Sequence, residues 1–204
     1  MIQARIQKGF SAARESAGFR LTLELEAGPG ITVLFGPSGS GKSLTLDCIA
    51  GFATPDTGRI LIDDAIVFDS GAKVDLRPQQ RRCGYVFQNY ALFPHMTLRE
   101  NLLFAGGRIP RLDRTRKVSD MLERFRIGDV AGRRPHEVSG GQKQRCSIAR
   151  ALVSGPSVLL LDEPAQGLDA LLRADFHDVL REVRAEFDTP VILVTHSVEE
   201  LSLI

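Results

Sequence analysis

The sequence predicts an α/β domain built on a mainly parallel sheet and interrupted by a helical insert. Three short apolar runs carry the first part of that expectation: ITVLF at 31–35, VLLLD at 158–162 and VILVT at 191–195. Runs of this length, rich in β-branched residues, suit strands buried on both faces. Segments with helical spacing alternate with them, and such alternation argues a parallel sheet. Between these outer parts lie about 60 residues that read as helices with no strand pattern.

In chain order, FRLTLELE at 19–26 alternates apolar and polar residues and reads as a half-buried strand. Gly28-Pro29-Gly30 turns the chain into the strand 31–35. GPSGSGKS follows, then LTLDCIAGF with helical spacing and Gly51 near its end. GRILIDDAIVF at 58–68 reads as two short strands around an Asp63-Asp64 turn. Residues 69–82 are polar, and CGYVF at 83–87 is a further strand ending at Gln88. The insert contributes helices over 97–105, 115–126 and 140–153. After the strand 158–162, Leu168, Leu171, Leu172, Phe176, Val179, Leu180, Val183 and Phe187 recur at helical spacing and form one apolar stripe. The strand 191–195 follows, and 197–204 begins a helix.

Composition narrows the functional classes. The 204 residues are 43% hydrophobic and 25% charged, and 26 Lys+Arg against 25 Asp+Glu leave a net charge of +1. That balance provides no global field for gripping nucleic acid or an anionic membrane. A basic cluster, Arg108, Arg111, Arg114, Arg116 and Lys117, is interleaved with Asp113 and Asp120 and reads as a solvated helical face. With no Trp and two Tyr, an aromatic platform for single strands is not expected. No apolar run approaches the ~18 residues of a spanning helix, and MIQARIQKGF has no signal-peptide core. Cys48, Cys83 and Cys146 are odd in number and lack metal-ligand spacing, so free thiols in a reducing compartment are expected.

Gly36-Pro37-Ser38-Gly39-Ser40-Gly41-Lys42-Ser43 fits G-x-x-x-x-G-K-[ST], between a buried strand and a helix. Its glycines let backbone N–H groups approach an anion, and the helix N-terminus adds a positive dipole end. Lys42 can place a point charge on β- and γ-phosphates, and the Ser43 hydroxyl can ligate Mg²⁺. The buried strand 158–162 ends in Asp162-Glu163. In open α/β sheets ligands sit at the carboxyl ends of strands, so Asp162 is placed to hold Mg²⁺ and Glu163 to polarise an attacking water. Val138-Ser139-Gly140-Gly141-Gln142 precedes a helix that Ser139 can cap, and its paired glycines expose a second set of backbone donors.

Together these segments resemble the ATP-binding cassette (ABC) ATPases, the nucleotide-binding domains of transporters. The resemblance covers essentially residues 1–204: the phosphate loop 36–43, the signature VSGGQKQR at 138–145, Asp162-Glu163, Gln88 at the family's Q-loop, Gly167-Leu168-Asp169 at its D-loop and His196 at its switch histidine. It implies a RecA-like P-loop NTPase core with a parallel sheet and a small antiparallel β subdomain (1–88 and 154–204), and an α-helical signature subdomain (89–153). It also implies a homodimer that sandwiches two ATP molecules. Ser139, Gly140, Gly141 and Gln142 would then meet the nucleotide held by the partner's phosphate loop. Glu163 would be the general base, His196 would position the γ-phosphate and water, and Gln88 would reach Mg²⁺ or water and relay the nucleotide state. An aromatic residue upstream of the loop stacks on adenine in the family; Phe10 is the candidate here and Phe19 the second.

Further expectations come with the family. Permease subunits and, indirectly, a solute-binding protein would be partners, nucleic acid would not, and the chain would work peripherally on the cytoplasmic face of a bacterial inner membrane. Val138 stands where Leu is commoner, and Gln166-Gly167 replaces the usual small polar pair. The family normally continues with more strands and helices, so the C-terminal part of its domain is expected to be missing here. Residues 82–104 resemble importer ATPases for oxyanions, iron, polyamines and sugars, and FDSGAKVDLRPQQRRCGYVFQ with GITVLFG is most like the molybdate-importer branch. Sulfate, iron, polyamine or sugar import and a soluble non-transport ABC ATPase are the alternatives. A generic phosphate-loop kinase or GTPase would leave VSGGQ without a purpose.

Overall fold

The computed structural model describes residues 1–10 and 19–198, apart from the side chain of Leu171. The expected start of a helix after residue 196 therefore lies mostly outside the described residues. The chain forms β1 (Ile2–Phe10), β2 (Phe19–Ala27), β3 (Ile31–Phe35), α1 (Lys42–Ala50), β4 (Thr57–Ile62), β5 (Ala65–Asp69), β6 (Val74–Asp75) and β7 (Cys83–Val86). The helices α2 (Leu98–Ala105), α3 (Arg111–Arg124) and α4 (Gly140–Val153) follow, then β8 (Val158–Asp162), α5 (Ala170–Glu186) and β9 (Val191–Thr195).

The strands make two sheets. One is parallel, in the order β3-β9-β8-β7; the other is antiparallel, in the order β2-β1-β4-β5-β6. In the parallel sheet Phe35 pairs with Thr195, Asp162 with Val194 and Val86 with Leu161, so all four strands end along one edge. Side chains alternate across a strand, and β8 and β9 divide between two cores accordingly. Leu159, Leu161, Val191 and Leu193 face a cluster built with α2 to α5, while Val158, Leu160, Ile192 and Val194 face one built with α1 and the antiparallel sheet. This two-sided burial is why both strands read as unbroken apolar runs. Phe176, Val179, Leu180 and Val183 carry the stripe of α5 and are buried, each side chain contributing about 2 kcal/mol.

Two local features depart from the expectation. β1 and the short β6 are additional strands. In β1, Ile2, Ala4 and Ile6 point inward between Gln3, Arg5 and Gln7, and the strand pairs with both β2 and β4. α3 begins four residues earlier than the apolar spacing indicates, after Pro110, and ends where Arg126 turns left-handed at φ 54°. The C-terminus of α1 is closed by Gly51, at φ 87°, and by Arg81, whose guanidinium donates to Cys48 O at 2.7 Å and Ile49 O at 3.1 Å. No helix among the described residues is long and apolar enough to cross a membrane.

Candidate functional site

The shared edge of the parallel sheet assembles the site. After β3 the loop 36–43 turns into α1, with Gly39 at φ 79° and Gly41 at φ 94°, conformations that side chains rarely adopt. A Cβ at Gly41 would also stand 2.9 Å from Phe19 Cζ and 3.1 Å from Leu21 Cδ1, so β2 closes against the loop at that glycine. The Lys42 ammonium lies back over the loop and donates to Gly36 O and Pro37 O, both at 2.8 Å. These carbonyls hold the cation where an incoming phosphate can take it over.

β8 brings Asp162 to the first turn of α1, where the Ser43 hydroxyl donates to Asp162 Oδ1 at 2.8 Å. Burial raises the Asp162 pKa; the Ser43 hydrogen bond opposes that, and the charges of Asp47 and Glu163 add to it. A divalent cation would relieve the same cost. Among the described residues no three His, Cys, Asp or Glu side chains form a metal cluster. The donors here are a hydroxyl and one carboxylate, hard oxygens that suit Mg²⁺ shared with waters and phosphate oxygens.

Glu163 has φ 45°, left-handed without glycine, a conformation that costs about 1 kcal/mol. Its N–H donates to Val194 O at 3.0 Å. Its Oε2 lies 3.4 Å from Nδ1 of His196, which follows β9. Glu163, Ala165, Gln166, Gly167, Thr195 and His196 border a cleft of about 240 Å³. Gln88 is exposed in the turn after β7. The residues beyond it, Tyr90 at φ 61° and Ala91 at φ 45°, are held from α4: Ser147 Oγ donates to Tyr90 O at 3.2 Å, and Arg150 donates to Ala91 O at 2.7 Å.

Ser139 caps α4 as its sequence indicates. Its Oγ accepts from Gln142 N at 3.3 Å, and Gln142 Oε1 accepts from Ser139 N at 3.0 Å. A Cβ at Gly141 would come 2.9 Å from Leu172 Cδ2, and one at Gly140 would reach Leu172 and Tyr90. No atom of the phosphate loop is among these neighbours, so the paired glycines do not contact that loop within their own chain. Asp169 caps α5, accepting from Leu172 N at 2.9 Å.

Phe10, at the end of β1, is 50% exposed and has the Lys8 ammonium 5.5 Å from its ring centre. Its cross-strand partner Phe19 is the aromatic residue that touches the loop. Sequence reading missed two further groups near the site. Asp47, one helical turn beyond Ser43, accepts from the Tyr85 hydroxyl at 3.1 Å. An acidic residue four places after the Ser43 of the loop is a signal that can be read from helical spacing alone.

A phosphate loop, a hydroxyl–carboxylate pair and a carboxylate–imidazole pair along the carboxyl edge of a parallel sheet define a nucleotide-binding domain of the P-loop NTPase fold. The family follows from wider likeness: residues 19–166 match the ABC transporter family, and the chain belongs to it. The molybdenum import ATP-binding protein ModC of Paramagnetospirillum magneticum is 42% identical over 188 residues, 92% of this chain and 52% of the relative. ModC of Rhodospirillum rubrum is 40% identical over 92% of this chain and 51% of its own length. The molybdate/tungstate import ATP-binding protein WtpC of Archaeoglobus fulgidus is 38% identical over 95% and 78%. The chain thus spans about half the length of these ModC relatives. Among solved structures, the dimeric ATP-binding cassette MJ0796, in a post-hydrolysis state bound to ADP and Pi, superposes with a TM-score of 0.81 at 27% identity, covering 100% of this chain and 91% of that one.

Proposed function

We propose that this chain is the ATP-hydrolysing part of an ABC importer that takes up molybdate or a related oxyanion. The observation that carries the hydrolytic reading is the meeting of Lys42, Ser43, Asp162, Glu163 and His196 at one sheet edge. The cargo reading is supported by relatives named for molybdenum, molybdate and tungstate import.

In this reading the backbone donors of Gly36, Pro37, Ser38, Gly39, Ser40, Gly41, Lys42 and Ser43 cradle the phosphates, and Lys42 leaves Gly36 O and Pro37 O for the β- and γ-phosphate oxygens. Ser43 and Asp162 hold Mg²⁺, with Gln88 reaching it or a water. When bound, the ion neutralises charge on the phosphate oxygens. Glu163 accepts the proton of the attacking water, and His196, 3.4 Å from it, orients that water and the γ-phosphate. Phe10, half-exposed, is the candidate for stacking the base.

Ser139, Gly140, Gly141 and Gln142 serve the nucleotide of a second copy. Their separation from the phosphate loop of their own chain and the dimeric assembly named for MJ0796 support that arrangement. The dimer would drive permease subunits at the cytoplasmic face of a bacterial inner membrane, supplied by a solute-binding protein, with no role for nucleic acid.

The test is uptake of labelled molybdate in source cells whose chromosomal copy carries Glu163→Gln, with sulfate and iron as controls. Selective loss of molybdate uptake is expected. Loss of another solute alone would move the cargo, and unaltered uptake of every solute would refute the importer reading. The purified Glu163→Gln protein is expected to bind ATP, to lose at least ~100-fold in turnover and to accumulate as a dimer. Undiminished hydrolysis would remove Glu163 from the role of base.

A further inference from the structure

Behind Asp162 lie two polar groups that the proposed reaction does not use. Asp47 is four residues beyond Ser43 on α1, so both side chains lie on the helix face that meets the end of β8. Ser43 donates to Asp162 Oδ1 at 2.8 Å. Tyr85 comes from β7, the strand next to β8, with its Cα opposite Leu160. Alternation along both strands puts Tyr85, Leu160 and Asp162 on the face toward α1. The Tyr85 hydroxyl donates to Asp47 Oδ1 at 3.1 Å. That bond fixes the Asp47 carboxylate, whose charge acts on Asp162.

Ring packing settles where that hydroxyl sits. Tyr85 is stacked on Phe87 with ring centres 4.3 Å apart and tilted against Phe52 at 5.4 Å. The donor is thus held by aromatic contacts while its hydroxyl reaches Asp47.

We propose that Tyr85 and Asp47 are positioning residues for the metal site: the Tyr85 hydroxyl fixes the Asp47 carboxylate, and Asp47 supplies a second negative charge one layer behind the metal ligand Asp162. The pair touches neither nucleotide nor metal. Its effect falls on how tightly the divalent cation is held when nucleotide is present. This inference rests on the Mg²⁺–ATP reading of the site.

The test uses Tyr85→Phe, Asp47→Asn and Asp47→Ala in the full-length protein. Mn²⁺ binding in the presence of ADP is read by electron paramagnetic resonance, ATP binding is read in EDTA, and ATPase activity is titrated with Mg²⁺. Tyr85→Phe keeps the aromatic stack and removes only the hydroxyl. It is expected to weaken Mn²⁺ binding about three- to tenfold, within the range of one ordinary hydrogen bond, and to leave metal-free ATP binding unchanged. The half-saturating Mg²⁺ concentration should rise by the same factor, with the rate at saturating Mg²⁺ changed by less than about twofold. Asp47→Asn, which keeps an acceptor for Tyr85, should weaken the metal less than Asp47→Ala. Unchanged Mn²⁺ affinity in Tyr85→Phe would overturn the proposal. So would an equal loss of rate at all Mg²⁺ concentrations, because a merely structural role produces that pattern. If the unaltered protein bound no Mn²⁺ with ADP, the reading of the nucleotide site would fail before the Tyr85–Asp47 pair came into question.

Discussion

Replacing Arg81 by alanine should destabilise the protein more than any single surface change. Arg81 is 1% exposed and has every nitrogen engaged. It donates to Leu76 O at 2.8 Å, to Cys48 O at 2.7 Å, to Ile49 O at 3.1 Å and to Asp75 Oδ1 at 2.7 Å. Removal leaves Cys48 O and Leu76 O without donors, at about 1 kcal/mol or more each, leaves Ile49 O only the Cys83 thiol at 3.9 Å, and opens a cavity besides. The expected loss is about 3–5 kcal/mol, a large share of the ~5–15 kcal/mol typical of a domain. Asp75 is 45% exposed, so water screens its part, and Asp75→Asn should cost less than about 1 kcal/mol. Arg81→Lys should fall between, because an ammonium reaches carbonyls without the guanidinium fork. Urea unfolding of the three variants, at unchanged slope, measures each loss. A loss below ~1 kcal/mol for Arg81→Ala, or equal losses for Arg81→Ala and Asp75→Asn, would show that the carbonyl contacts do not hold α1.

Other outcomes follow from single observations. Under the proposed dimer, in which the signature serves the nucleotide of a second copy, Ser139→Arg should abolish hydrolysis while leaving ATP binding by the monomer intact; normal turnover would sink that dimer. The hydrogen bond from Arg145 and then its charge hold the Asp175 pKa below the ordinary 3.8. The stability this contributes is present above 3.8 and is lost as pH falls through the lower folded value, so Asp175→Asn should flatten the acid limb of the stability curve and leave its slope at neutral pH unaltered. Burial pushes the thiols of Cys83 and Cys146 up to about 12 and that of Cys48 up to about 11. At pH 8 Cys48 and Cys146, both buried, should therefore react with a thiol reagent only at the rate at which the native protein opens; a fast phase at either would contradict the burial.

Much of the fold is legible because the residues of one element agree with one another. ITVLF, VLLLD and VILVT are mostly apolar because their strands separate two cores, and Phe176, Val179, Leu180 and Val183 mark the buried face of α5. β1 is harder to read. It has three inward positions, one of them only Ala4, and it is stabilised by ladders on both sides to β2 and β4, which no local pattern reports. The start of α3 is hidden for a related reason. Its first turn, Arg111 to Arg114, buries no apolar residue and is organised by Pro110 and by the Thr115 hydroxyl donating to Arg111 O at 3.0 Å. At the site, motif spacing names Lys42, Ser43, Asp162, Glu163 and His196, and the structure joins Ser43 to Asp162 and Glu163 to His196. Motif spacing leaves out Tyr85, whose approach to Asp47 depends on strand order and side-chain alternation, and it ranks Phe10 above Phe19, although Phe19 lies against Gly41.

Local rules break most plainly where the strands end. Glu163, Tyr90 and Ala91 are left-handed without being glycine, at about 1 kcal/mol each. Glycine would remove that cost at any of them. Instead, neighbouring groups restrain each segment. Glu163 is fixed by its N–H to Val194 O. Tyr90 and Ala91 are fixed by Ser147 and Arg150, and the Arg150 guanidinium also lies 5.5 Å from the Phe93 ring centre. Both of those side chains belong to α4, whose first turn carries Ser139, Gly140 and Gly141. From Ser139 to Arg150 the helix spans about 16 Å and holds no proline at which it could bend. A movement of the Gln88 turn that keeps these hydrogen bonds must therefore carry α4 as a body, and with it the signature glycines. The strained turn and the glycine-rich start of α4 are mechanically one unit.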